Sequence, residues 1–198
     1  MRVPHRQLEN ARRDPVAFRA AMAAKRGGGG ITRFQLVQFA VKVYHLEGLD
    51  RAVRYLEDKF TNNDFRELDR YRDYLLDYDV AFAARPAIWY HINDKVELNL
   101  GHGVVLSGGL GRLDLCAGTI GHEAWLFEEN VEPNWAAALR MPLLQGYLAE
   151  QVGARPEEVA VGIYSFRAAN YYSVRFSRLE VEHAFQEADG LARLLTAP

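Results

Sequence analysis

The chain has 198 residues, 49% hydrophobic and 25% charged, the composition of one globular domain with enough apolar side chain for a substantial core. A single cysteine, Cys116, excludes an internal disulfide and any zinc or iron–sulfur site built from several cysteines, so disulfide-stapled secreted scaffolds are out and a reducing, cytoplasmic compartment is expected. The net charge of −2 conceals an asymmetry: residues 1–42 carry nine Lys/Arg against Glu9 and Asp14, so the remainder carries a negative excess of nine.

Met1-Arg2-Val3-Pro4-His5-Arg6 has no apolar run after its positive charges, and no later stretch approaches the ~20 apolar residues of a membrane helix, so neither a signal peptide nor a span is expected. Residues 5–24 place Leu8, Ala11, Val16, Ala20 and Ala23 near one face, with Pro15 dividing two short helices. The Lys25-Arg26-Gly27-Gly28-Gly29-Gly30 run reads as a flexible hinge; it lacks the flanking strand and the Lys-Ser/Thr ending of a phosphate-binding loop. Residues 1–30 are therefore expected to form a basic arm, and residues 31–198 one α+β domain, helical over 31–85 and sheet-containing over 86–198.

Within the domain, Thr32 with Gln35 is a capping box opening a helix that Gly48 ends, and Asp50 can cap the next. After Thr61-Asn62-Asn63-Asp64, Leu68, Tyr71, Leu75 and Tyr78 give one stripe to a long helix from about Phe65 to Ala84, which Pro86 closes. From residue 87 the period changes to two, with strands through Ile88, Tyr90 and Ile92 and through Val96, Leu98 and Leu100. Gly101-His102-Gly103 reads as a hairpin turn, Val104 to Ala117 as one strand bulged around Gly108, Gly109 and Gly111, and His122 to Glu129 as the next strand. Asn134 opens a helix that Pro142 is expected to kink and Gly153 to stop. Strands over 159–167 and 171–176 follow, and Ser177 with Glu180 is a second capping box, opening the last helix. The fold class is α+β: N-terminal helices, then a mixed sheet with a crossing helix.

Asp114 in GLGRLDLC needs a reason, because aspartate is disfavoured inside strands. Metal ligation is one; an Arg112–Asp114 pair on a solvated face is the other. His122 and Glu123 are neighbours on one strand and point to opposite faces, so they do not chelate one ion together.

The segments VVLSGGLGRLDL, HEAWLFEE and LLQGYLAEQ stand in an order that resembles the RecB-type branch of the PD-(D/E)XK nuclease superfamily, across roughly residues 96–195. There a strand ending in a Gly-x-x-Asp-like element precedes a strand bearing Asp/Glu-x-Lys and a helix carrying Gln near Tyr. The resemblance implies a restriction-endonuclease-like core and phosphodiester hydrolysis with Mg²⁺ or Mn²⁺ held by carboxylates. It assigns Asp114 and Glu123 as metal ligands, with Gln145 and Tyr147 completing the catalytic group, and loosely matches His45 to a histidine preceding the core. Trp125 falls where the lysine belongs, and all four lysines, Lys25, Lys42, Lys59 and Lys95, precede the site. Arg140 could supply charge but is a poor proton shuttle. The resemblance therefore implies a pseudo-nuclease without a cofactor, an accessory protein on nucleic acid in repair or antiviral defence; the alternative is an active metal nuclease with an atypical site.

Two regions suit nucleic acid. Arg6, Arg12, Arg13, Arg19 and Arg26 cluster in the arm, and Arg167, Tyr171 and Arg175 interleave charge with aromatic rings. A protein partner or a homo-oligomer stands beside this, through the arm or through Glu67, Asp69, Asp73 and Asp77. A third alternative rests on LDRAV, LLQGYLAEQVG and VGIYSF, which look similar to parts of the thymidylate synthase family; that chemistry needs a cysteine nucleophile, and the position after Pro86 is Ala87.

Overall fold

The structure, a computed structural model, describes residues 1–24, 32–60, 65–85, 87–92, 95–116 and 121–197. The 25–30 run expected to be a hinge, with Arg26, lies outside them, as do residues 61–64 and Pro86. The fold is α+β. Its centre is a five-stranded sheet in the order β2-β5-β6-β7-β8, formed by Ala87–Ile92, Arg112–Cys116, His122–Glu128, Val159–Ser165 and Asn170–Val174. Neighbours are antiparallel except β6 and β7. A parallel pair needs a crossover, and helix α6 (Arg140–Val152) supplies it. Strand β7 is buried along its whole length, which is why VAVGIYS is apolar almost throughout.

Strand periodicity sends alternate residues of β5 and β6 to opposite faces. Leu113, Ala124 and Leu126 pack with Leu144 and Leu148 of α6. Trp125 and Phe127 pack on the other side, with Tyr164 and Phe166, against Val41 of α3 (Arg33–Glu47) and Leu75 and Tyr78 of α5 (Phe65–Ala83). Helix α4 (Leu49–Lys59) packs on α3 and α5. The sheet is thus covered by helices on both faces.

A second sheet has three strands in the order β1-β4-β3, from Arg2–Pro4, Val105–Gly109 and Lys95–Asn99. β3 and β4 form the expected hairpin around Gly101–Gly103, and β1 runs parallel to β4 with Val3 opposite Leu106. The N-terminal segment is therefore built into the body. Val3, with Leu8 and Ala11 of α1 (Leu8–Arg13) and Phe18 of α2 (Pro15–Ala24), buries against Leu106 and against Leu191 of α7 (Arg178–Thr196). The face that α2 buries carries Phe18 and Met22; Val16, Ala20 and Ala23, expected inside, are exposed.

Both capping boxes form as expected: Thr32 accepts from the Gln35 N–H and Ser177 from the Glu180 N–H, with the reciprocal bonds present. Four expectations need correction. Asn134 does not open α6: it precedes a 3₁₀ turn over Trp135–Ala137 without a side-chain cap, and α6 begins at Arg140. The run 104–117 is two strands in two different sheets, because the chain turns at Leu110-Gly111. Pro142 is the third residue of α6, where its missing N–H would have had no helical acceptor, so it opens the helix without kinking it. Gly48, not Asp50, is the residue flanking α4, and Asp50 sits in its first turn. No described helix is long and apolar enough to cross a membrane.

Candidate functional site

The antiparallel register of β5 and β6 sets Asp114 opposite Glu123 and Arg112 opposite Trp125, all four on the face under α5. The two carboxylates assigned as metal ligands are thus brought together. Both are already engaged by cations. Arg112 grips Asp114 through two parallel bonds, Nε to Oδ1 at 2.6 Å and Nη2 to Oδ2 at 2.7 Å, and both side chains are buried. The Arg112–Asp114 pair therefore exists, but in the core and not on a solvated face. Trp125, fully buried, donates from Nε1 to Asp114 Oδ2 at 2.9 Å. Arg85, just beyond α5, pairs with Glu123 at 2.5 Å and lies 5.0 Å from the ring centres of Trp125 and Tyr171.

The pair extends into an aromatic shell. The Arg112 guanidinium lies 4.6 Å from the centre of the Phe82 ring, and its Nη1 donates to the Tyr78 hydroxyl at 2.5 Å. With that oxygen accepting from Arg112, the Tyr78 proton is free to go to Nε2 of His45, 2.8 Å away. Burial, and secondarily the Arg112 charge, hold His45 down to a pKa of about 3, in keeping with a neutral, accepting imidazole. Burial likewise pushes the Tyr78 hydroxyl well above its ordinary value. The chain Asp114–Arg112–Tyr78–His45 is a polar network inside the apolar layer, ending at His45 Nδ1, which is buried without a hydrogen-bond partner among the described residues.

Gly162 makes room for the indole. On this central strand a Cβ would come within 2.5 Å of Trp125 Cζ3 and 2.4 Å of the Tyr172 carbonyl oxygen. Gly162→Ala is expected to displace Trp125 from Asp114 and lower stability by about 1–3 kcal/mol. Urea unfolding checks this, and an unchanged midpoint would mean that the indole yields without cost.

These side chains do not fit a divalent cation. Both oxygens of Asp114 accept hydrogen bonds from fixed donors and Glu123 is held by Arg85, so the guanidiniums occupy the position that a cation would take. Among the described residues, no group of three or more His, Cys, Asp or Glu is placed to hold a metal ion.

The remaining candidates lie elsewhere. Gln145 and Tyr147 belong to α6, on the far side of the sheet from Asp114. Gln145 is fully buried; its Nε2 donates to the carbonyls of Pro156 and Phe176 at 2.9 and 2.7 Å, and its Oε1 accepts from the Phe176 N–H at 2.8 Å. That is the work of a latch tying α6 to the chain after β8. Tyr147 is half-buried between two apolar clusters. Tyr171 packs 4.7 Å from both Trp125 and Tyr164 and beneath Arg85, so its faces are committed inside the protein. Arg19 donates to the Ala197 carbonyl, and Arg175 is exposed near Gly121, at the start of β6.

Arg6, Arg12 and Arg13 instead meet at the other end of β6, lining a cleft of about 750 Å³ between α1 and the connection from β6 to α6. Arg140 and Trp135, which the sequence did not single out for nucleic acid, line it too. Arg167 reaches it by donating to Asn130 Oδ1 at 3.3 Å. Arg6 and Arg140 hold Glu128 between them, each at 3.3 Å. Nε2 of His5, buried below, donates to the Gly109 carbonyl at 3.2 Å; burial, then Arg140 and Arg6, lower its pKa to about 4.

No known family model matches the chain, and no curated protein matches it in sequence.

Proposed function

We propose that this chain is a nucleic-acid-associated accessory protein on a nuclease-like core that has exchanged catalysis for stability. The observation that carries the reading is the pairing of Asp114 with Arg112 and of Glu123 with Arg85, with Trp125 where a nuclease of this type would have lysine. Phosphodiester hydrolysis by this route needs carboxylates free to hold a cation and a group to polarise water. Here the carboxylate charge is neutralised by guanidiniums, and the indole is a donor that cannot take up a proton. What remains available to nucleic acid is electrostatic attachment through the arginines around the 1–24 segment and Arg167.

Incubating the protein with labelled single- and double-stranded DNA and RNA in Mg²⁺, Mn²⁺ or EDTA tests this. Salt-sensitive binding with no metal-dependent cleavage is expected. Cleavage that requires metal and disappears in Glu123→Gln would establish an active nuclease and end the reading.

A further inference from the structure

We propose that the cleft between α1 and the β6–α6 connection binds a single strand of nucleic acid, with phosphates among its arginines and a base on Trp135. This rests on the nucleic-acid-associated reading and names the surface responsible. Arg6, Arg12 and Arg13 come from the N-terminus and Arg140 from the start of α6, so sequence-distant segments converge on one concavity, with Arg167 at its edge through Asn130. Its volume of about 750 Å³ suits one or two nucleotides and not a duplex.

The charge balance favours an anion. Two guanidiniums share the single carboxylate of Glu128. Arg12 is held by Glu187 at 2.5 Å and by Glu9, whose other oxygen accepts from the Leu139 N–H at 2.7 Å and covers the open end of α6. Arg13 is exposed and without a partner among the described residues, and Arg167 holds only the Asn130 amide. With their immediate neighbours counted, Arg6, Arg12, Arg13, Arg140 and Arg167 stand against Glu9, Glu128, Glu132 and Glu187, a positive surplus of one in a chain whose total is −2. Trp135, in the short 3₁₀ turn 135–137, is half-buried, packing one side against the apolar cluster around α6 while lining the cleft beside those charges. Stacking on an aromatic ring beside a cationic track is how single strands are held without sequence readout. Glu132 is the lining carboxylate without a cationic partner among the described residues, and it opposes a phosphate.

The test is fluorescence anisotropy with a labelled ten-nucleotide oligothymidylate across a salt series, on the full chain and three variants. The double variant Arg13→Glu/Arg167→Glu alters exposed side chains and is expected to bind about tenfold or more weakly, with a salt slope reduced by roughly 0.7 for each phosphate no longer neutralised. Glu132→Gln is expected to bind more tightly. Arg51→Glu, an exposed arginine of α4 that is not part of the cleft, is expected to leave binding unchanged. Circular dichroism establishes that each variant is folded. If the chain binds and the double variant binds equally well, the cleft is excluded while the nucleic-acid reading stands. Failure of the unaltered chain to bind at low salt would remove both. Competition by thymidine monophosphate at the oligonucleotide's own affinity would overturn the strand assignment in favour of a free nucleotide.

Discussion

Asp114→Ala is expected to destabilise the protein by about 3–5 kcal/mol, because it leaves the Arg112 guanidinium buried without its counter-charge. At about 2–4 °C per kcal/mol for a chain of this size, the thermal midpoint should fall by roughly 10 °C. The same change also strips the Trp125 indole N–H of its acceptor. Replacing both charges, as Arg112→Met with Asp114→Leu, should recover much of the loss, since a buried pair owes little net stability to its mutual attraction once desolvation is counted. Recovery should stay incomplete, because Trp125 and Tyr78 would still lack their partners. Denaturation of the two variants side by side checks this; a double variant no better than Asp114→Ala would show that the aromatic shell depends on the charge itself.

Acidification from pH 7 to pH 5 should cost up to about 4 kcal/mol, roughly 2 from each of His5 and His45. Both are held neutral in the folded protein: burial dominates, with Arg140 and Arg6 adding at His5 and Arg112 at His45. Their pKa values are lowered to about 4 and about 3, below the ordinary 6.5, so the unfolded chain takes up protons that the folded one refuses. This stability is complete above the unfolded value and is lost as the pH falls from there toward the folded value. His5 has little room to escape, since its ring lies against Gly108 where a Cβ would stand 1.9 Å from it. His5→Gln should remove about half of the pH dependence. Urea midpoints at the two pH values decide the matter, and equal midpoints for the unaltered chain would mean that both imidazoles admit a proton in place.

The parts of the fold legible in the sequence were those encoded locally. Thr32 with Gln35 and Ser177 with Glu180 place two helix starts within four residues of chain, and the Leu68, Tyr71, Leu75 and Tyr78 spacing marks the buried stripe of α5. Alternation located β2 and β3, but the division between β4 and β5 depends on which sheet each strand joins, and Gly109-Leu110-Gly111 alone could not show it. Val3 has no periodic neighbours that would mark β1; its place is fixed by pairing with Leu106, about a hundred positions along the chain. At the candidate site, Asp114 was conspicuous because aspartate is rare in strands. Glu123 was assigned only through the family resemblance, and its place opposite Asp114 is set by the β5–β6 register; Tyr78 of α5 and Arg85 just beyond it arrive through packing that no local pattern records. Arg140 and Trp135 were hidden for the same reason, since a cleft formed by segments far apart in the chain leaves no signature in either.

The most direct test of the central claim, that Asp114 and Glu123 serve the fold and not a metal, is a calorimetric titration of Mn²⁺ into the unaltered protein and into Glu123→Gln. No saturable heat that depends on Glu123 is the expected result. Tight, stoichiometric binding that Glu123→Gln abolishes while the variant remains folded would contradict it, and would return these carboxylates to the chemistry of a metal centre.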